Sequence, residues 1–222
     1  MKILFEDKDI IVCRKPPGMP VQTKEPGVPD MVSELKNIIC EKGKKSEPYI
    51  GLIHRLDQVV EGLMVFGKTP YSSKELSRQL GNKTIGKYYY GVTKTIPKGC
   101  KEFAYEYSLI DYIVKDGRSN RSYITNASVG NAKKGELLCK IVGEEQGRYL
   151  LDIHLITGRH HQIRVQLAHR GAPLIGDRKY GNDTEEKTVA LCAYKLCFLH
   201  PKTKEKMEFQ IGPSLKIFQQ FL

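Results

Sequence analysis

His54-Arg55-Leu56-Asp57 is a compact polar quartet set between two apolar runs, Ile50 to Ile53 and Leu63 to Phe66. Further along, Thr157-Gly158-Arg159-His160-His161-Gln162-Ile163-Arg164 opens a helical pattern with a charge on its apolar side. One carboxylate and one guanidinium in such settings point to a single ion-paired Asp at a catalytic centre. A nucleophilic carboxylate must be ionised and only partly solvated, and an adjacent Arg favours the charged form. Most isolated Asp residues are turn or cap residues. Asp57 differs in its setting, between core-like strands and just before the break at Glu61-Gly62.

The helix carries the second half of the argument. Thr157 reads as its N-cap and Gly171 as the C′ residue, with Pro173 beyond to stop it. At about 100° per residue, Ile163 and Leu167 share one side, with Val165 and Ala168 further round. Arg164 falls within that apolar arc, while Gln162, Gln166, His169 and Arg170 take the opposite side. An unpaired buried guanidinium is costly, so Arg164 requires an anionic partner or a cleft. Asp57 is the best partner on chemical grounds. A purely structural ion pair, or a head group reaching solvent past its stem, meets the same requirement.

Five motifs occur in order along the chain. They are Lys15-Pro16-Pro17-Gly18-Met19-Pro20-Val21-Gln22, His54 to Asp57 with Gly62, Lys87-Tyr88-Tyr89, Thr157 to Arg164, and Gly176-Asp177 with Tyr180-Gly181. The series resembles the RluA-type pseudouridine synthases from about Phe5 to Ile211. The resemblance implies that Asp57 is the nucleophile, Tyr89 the active-site aromatic, and Arg164 the partner of Asp57. It also makes His54, Arg55, Lys87, Arg159, His161 and Gln162 candidates for contacting RNA or the target base. Lys87 shares a strand face with Tyr89, whereas Tyr88 and Tyr90 pack on the other face. No metal and no cofactor is implied.

The chain departs from the family pattern at Gln58-Val59-Val60-Glu61, where a basic or polar residue and then Thr-Ser are usual. Glu61 is expected to add a negative charge near an anionic substrate. His160 replaces a usual Thr or Ser, and Gln166 a usual His. These departures bear on substrate identity more than on chemistry. Val60 and Glu61 alone support a rival, a non-catalytic RNA-binding protein that keeps the fold. A glycoside hydrolase would need a second carboxylate beside Asp57. A metal hydrolase built on His160, His161 and His169 would lack an acidic ligand at suitable spacing.

Composition agrees with an RNA partner. The formal net charge is +11 and the sequence pI about 9.3, which suits phosphates through counterion release. Lys42, Lys44 and Lys45 read as a solvated basic linker after a helix from Met31 to Glu41. Lys115, Arg118, Arg121, Lys133 and Lys134 cluster in a Ser-, Asn- and Gly-rich stretch expected to form a hairpin or loop on RNA backbone. The expected partner is structured ribosomal or transfer RNA. No apolar run is long enough for a membrane span, and the early Glu6 argues against a signal peptide. The six cysteines lack Cys-x-x-Cys spacing, and Cys192 and Cys197 are expected to be small buried hydrophobes. A reduced, cytoplasmic, monomeric protein is expected.

The expected architecture is α+β, a long mixed and mainly antiparallel sheet with flanking helices and a central RNA-binding cleft. The expected organisation is one catalytic domain, 1–222, of two lobes at most, without the basic accessory (S4) domain that many relatives carry before it. Strands are expected at Ile3 to Glu6, Ile10 to Arg14, Leu63 to Phe66, Tyr88 to Thr93 and Phe103 to Ile113. Others are expected at Leu137 to Val142, Tyr149 to Leu155 and Val189 to Leu199, with Met207 to Ile211 closing a final hairpin. Tyr71 to Leu80 reads as a helix ended by Gly81.

Overall fold

Residues 1–41, 48–182 and 186–221 are described by the computed structural model. The basic run Lys42, Lys44, Lys45 lies outside them. In chain order the elements are β1 (Lys2–Glu6), β2 (Ile10–Lys15), α1 (Met31–Glu41), β3 (Gly51–Leu52), β4 (Glu61–Gly67) and α2 (Pro70–Gly81). They continue with β5 (Gly86–Thr93), β6 (Glu106–Asp116), β7 (Arg121–Thr125), β8 (Lys133–Glu145), β9 (Arg148–Leu155) and α3 (Gln162–His169). Strands β10 (Leu191–Leu199) and β11 (Lys206–Gln210) follow, then a single 3₁₀ turn at Lys216–Phe218. The chain forms two compact units, Met1–Gly86 with Ala193–Ile211, and Lys87–Cys192 with Gly212–Leu222.

Local chemistry sets the boundaries in the first unit. Asp7 Oδ1 accepts the N–H groups of Asp9 (2.7 Å) and Ile10 (2.8 Å), which closes the β1–β2 turn. Asp30 caps α1 by accepting Ser33 N–H at 2.8 Å. Thr69 and Ser72 form a reciprocal capping box at the start of α2, with Pro70 at its first position. Strand β4 pairs with both β2 and β3, and every one of its residues is buried. That two-sided burial explains the unbroken apolar run Leu63 to Phe66. Ile10, Val12, Ile53, Leu63, Val65 and Leu76 form the centre of this core. His200 Nδ1 accepts from Lys202 and Thr203 N–H, so Nε2 carries the proton and donates to Asp7 Oδ2 at 2.9 Å. That bond ties the β10–β11 turn to the β1–β2 turn.

The second unit is an antiparallel meander of strand order β5-β9-β8-β6-β7. A bulge between Ile141 and Gly143 bends the long strand β8. Phe103, expected within β6, instead forms an isolated parallel bridge to Ile141 ahead of the strand. Strand β8 begins at Lys133, four residues earlier than its apolar alternation, because β6 pairs with that polar end through Ile113–Lys133 and Tyr112–Lys134. Of the basic stretch, Lys115, Arg118 and Arg121 lie on the β6–β7 hairpin, whose turn is held by Asp116 accepting from Arg118 N–H and Ser119 Oγ, while Lys133 and Lys134 open β8.

Helix α3 departs most from expectation. It starts at Gln162, with His161 as N-cap in the left-handed region at φ 53°, and Thr157 is no cap. The Thr157 hydroxyl is committed elsewhere, accepting Glu136 N–H and donating to Gln162 Oε1, both at 2.8 Å. Gly171 adopts φ 72° just beyond the C-cap Arg170, as the stop signal required. Gln162 and Gln166, expected to face solvent, are 3 % and 0 % exposed. Gln166 Nε2 donates there to Leu109 C=O (3.2 Å) and Asp111 Oδ2 (2.6 Å), while its Oε1 is buried without a hydrogen-bond partner among the described residues. Cys192 is buried as expected, but Cys197 is half-buried and its thiol donates to Glu208 at 3.4 Å. Among the described residues no helix is long and apolar enough to cross a membrane.

Gly62 opens β4 at φ 140°, and a Cβ there would come within 2.4 Å of Ala193 Cβ. Gly62→Ala should cost about 3 kcal/mol, from a backbone shape that Ala resists together with overpacking. The urea midpoint should fall at unchanged slope, and a wild-type midpoint would contradict this packing.

Candidate active site

In the first unit, the quartet His54 to Asp57 alternates between anchors and exposed groups. His54 is 9 % exposed and its Nε2 accepts Val65 N–H at 3.3 Å, which ties the segment to β4. Leu56 is buried beneath it. Arg55 is exposed and Asp57 half-buried, the partial solvation that a nucleophilic carboxylate needs. Val60 N–H donates to Asp57 C=O at 3.0 Å, so residues 57–60 form a tight turn.

A buried lysine holds that turn. Lys15 has no exposed surface, and its ammonium donates to the carbonyls of Pro16 (2.9 Å), Met19 (2.7 Å) and Gln58 (2.9 Å). Gly18 N–H adds a second bond to Gln58 C=O at 2.8 Å, and Gln58 Nε2 returns one to Gly18 C=O at 2.9 Å. Burial pushes the Lys15 amine down to about 8, while attraction to the Asp57 and Glu61 carboxylates works in the opposite direction. Sequence reading noted Lys15 only as part of a motif. Its signal was a lysine ending an apolar strand directly before Pro-Pro-Gly. Glu61 does not face a substrate as expected. It is 1 % exposed and paired with Arg14 Nη2 at 2.7 Å. Val60 is likewise buried, 2 % exposed.

In the second unit, β5 presents Lys87 and Tyr89 on one face, 7 % and 5 % exposed. Tyr88 turns to the other face and stacks on His154 at 4.3 Å. Burial pushes the Lys87 amine down to about 8. Its Nζ would lie 3.6 Å from a Cβ at Gly158, so Lys87 reaches the loop ahead of α3. Gln162 locks this loop from inside, its Oε1 accepting from Thr157 Oγ1 and Arg159 N–H and its Nε2 donating to Glu136 C=O. Gln162 therefore positions Arg159, whose Nε donates to Lys134 C=O at 2.8 Å.

Arg164, 5 % exposed, has the anionic partner that burial demanded. Asp177 grips it with two bonds, Nε to Oδ2 and Nη2 to Oδ1, both at 2.8 Å, and is itself fully buried. Asp177 Oδ1 also accepts the N–H groups of Lys179 (3.0 Å) and Tyr180 (3.1 Å). Two guanidinium groups lie over the Tyr180 ring, Arg164 at 5.3 Å and Arg121 at 5.4 Å from its centroid. Its hydroxyl accepts Ser122 N–H at 2.7 Å and meets His161 Nδ1 at 2.8 Å. His161 in turn stacks on His160 at 3.7 Å, and His160 Nδ1 meets Ser122 Oγ at 2.9 Å. Asp177 and Tyr180 were noted in the sequence without a role, because nothing local announces a partner thirteen residues away. Asp57, the partner expected for Arg164, belongs to the other unit, and its role is taken up below.

Among the described residues, the only convergent trio of potential metal ligands is Asp7, Asp9 and His200. The protonated His200 Nε2 already donates to Asp7, so this trio is occupied as a turn lock.

Comparison with known proteins agrees with this arrangement. The family model described as RNA pseudouridylate synthase matches residues 9–169. An uncharacterized RNA pseudouridine synthase of Helicobacter pylori (strain ATCC 700392 / 26695) is 31 % identical, over all of this chain and 69 % of its own length. Ribosomal large subunit pseudouridine synthase D of Buchnera aphidicola subsp. Schizaphis graminum is 30 % identical over 94 % of this chain and 68 % of its own. Among solved structures, human RNA Pseudouridylate Synthase Domain Containing 4 superposes with a TM-score of 0.78 at 21 % identity, covering 99 % of this chain and 90 % of that one. Matched through its motifs, over most of its length and in its fold, the chain belongs to the RluA-type RNA pseudouridine synthases, enzymes that isomerise uridine within RNA.

Proposed function

We propose that the chain, acting as one catalytic domain, isomerises particular uridines in a structured ribosomal or transfer RNA with Asp57 as nucleophile. Large-subunit ribosomal RNA is the first substrate to try, because relatives named for that RNA cover nearly the whole chain. The observation that carries the reading is the half-buried Asp57 on a turn clamped by a buried ammonium. The target nucleotide leaves its stack so that its sugar meets Asp57. The carboxylate adds to C1′ as the bond to uracil N1 breaks, and the base departs as an anion. The base turns, C5 bonds to C1′ and Asp57 is released. The C5 proton is lost and N1 gains one, so the product is an isomer and no co-reactant is consumed.

Tyr89 stacks on uracil and assists proton transfer. Arg164, held by its fork with Asp177, is the residue that the family resemblance pairs with the nucleophile and that keeps it ionised. Arg55, exposed beside Asp57, takes phosphate or the space left by the extruded base. His54 positions Asp57, while Lys87, Arg159 and His161 face the RNA. The rival reading of a binding-only protein rested on Val60 and Glu61. Both are buried, and Glu61 is neutralised by Arg14, so neither departure argues against turnover.

Asp57→Asn should lower turnover by at least about 10³-fold while changing RNA affinity less than about threefold. Tritium release from RNA carrying [5-³H]uridine measures the first and filter binding the second; undiminished release would sink the nucleophile assignment. Arg164→Met should also lose turnover, but with a second signature. It strands Asp177 as a buried unpaired charge, which costs about 3–5 kcal/mol in stability, whereas Asp57→Asn should leave the unfolding midpoint near wild type.

Lys15 and Lys87 both titrate near 8 instead of the usual 10.5. Above pH 8 Lys87 loses its attraction for phosphate and Lys15 loses one of three donors, so turnover should decline. Stability should respond in the opposite sense. Between 8 and 10.5 the folded chain binds fewer protons at these groups than the unfolded chain, so their contribution rises with pH. Rate profiles, together with NMR of ¹³Cε-labelled lysine, check this; no lysine titrating near 8 would contradict it.

A further inference from the structure

A cavity of about 270 Å³ lies within the second unit, and no catalytic step uses it. Its apolar floor is Ile124 of β7 with Val165 and Ala168 of α3, and its walls include Arg121, Tyr123 and Tyr180. At roughly 30 Å³ per water the volume matches a flat heterocycle better than a single ion. Three features say what kind of heterocycle.

First, Arg121 is held in place by its bond to Lys179 C=O and by the Tyr180 ring. Its Nε is buried and has no hydrogen-bond partner, leaving one N–H unused at the cavity wall. A buried donor without a partner is costly unless a ligand supplies the acceptor. Second, β7 is the terminal strand of its meander. Ser122 N–H points away from β6 to the Tyr180 hydroxyl, so by alternation the Ile124 amide faces the same open edge. Third, Tyr123 is 47 % exposed at the cavity, and Lys115, Arg118 and Arg178 are exposed on the same hairpin and on the turn after Asp177. Aromatic rings, a guanidinium and surrounding positive charge are the means by which proteins hold an unstacked base.

We infer that this cavity is a second nucleobase subsite, which takes an unstacked base of the RNA strand flanking the target uridine. It rests on the synthase reading and extends it to how the strand is held away from the reacting sugar. The flat base lies on Ile124 and Val165 with Tyr123 at its rim, and a carbonyl or ring nitrogen of the base accepts the Ile124 N–H and, as Arg121 shifts to meet it, Arg121 Nε–H. An acceptor on the base edge is therefore required, and a phosphate alone would leave the apolar floor uncovered.

The test uses the full chain and a fluorescein-labelled single-stranded RNA of ten nucleotides containing all four bases. Ultraviolet crosslinking followed by mass spectrometry should place an RNA adduct on Tyr123 or Tyr180. Tyr123→Ala should weaken anisotropy-measured affinity about tenfold, as expected for one lost stack. Tyr105→Ala, which removes a tyrosine that is 57 % exposed but outside the cavity, should leave affinity at the wild-type value. Wild-type affinity in Tyr123→Ala, with no adduct on β7, α3 or Tyr180, would overturn the subsite and leave the β7 edge to an extended peptide. The same crosslink on the wild-type chain, read beside its tritium release, separates the two readings. An adduct in a wild-type chain without turnover supports the subsite while defeating the synthase reading, and turnover without an adduct defeats the subsite alone.

Discussion

A single ammonium with no contact to solvent organises the first unit. Lys15 finishes β2, and its Nζ bonds three main-chain carbonyls that would otherwise diverge, at Pro16, Met19 and Gln58. A buried lysine is costly unless it is compensated, and three charge-assisted bonds to carbonyl oxygens supply that compensation. The turn at 57–60, the Pro-Pro-Gly loop and the end of a core strand therefore share one anchor. The chain that carries the half-exposed Asp57 is fixed by backbone bonds and by the Lys15 ammonium behind it.

The second unit solves the same problem with an anion. Asp177 is fully buried and accepts four hydrogen bonds, two from Arg164 and two from the backbone of its own turn. Tyr180 then sets its ring against both Arg164 and Arg121, while its hydroxyl joins β7 to the histidine at the start of α3. Arg164 is thus oriented from two directions before any substrate arrives. His161 can hold its left-handed backbone because the ring is fixed from both sides, by Tyr180 and by the stacked His160. In both units, rigidity at the reactive residue is generated one layer behind it.

Much of this was legible in the sequence, and the reasons are local. The β1–β2 turn, helix α1 and helix α2 carry their own punctuation in Asp7, Asp30, Thr69 and Pro70, so their limits agree with the reading to within a residue or two. The closing hairpin was equally clear, with Leu196 opposite Phe209 and Phe198 opposite Met207. Helix α3 was misjudged because its glutamines look solvent-facing by periodicity. Their amide nitrogens donate to Glu136, Leu109 and Asp111, residues that only the fold brings near. The need for an anion at Arg164 could be deduced from burial alone, yet Asp177 as a partner could not. Glu61 was misread for a similar reason, since its cation, Arg14, is forty-seven residues away.

The clamp around Lys15 recognises carbonyl oxygens, which every amino acid possesses. Positions 16, 19 and 58 can therefore change identity while keeping the carbonyls that hold the turn carrying Asp57. The side chain at 58 is exposed and lies immediately after Asp57. Here it is a glutamine whose amide rests on Gly18. Variation at position 58 can repaint the surface beside Asp57 while the clamp beneath it stays intact.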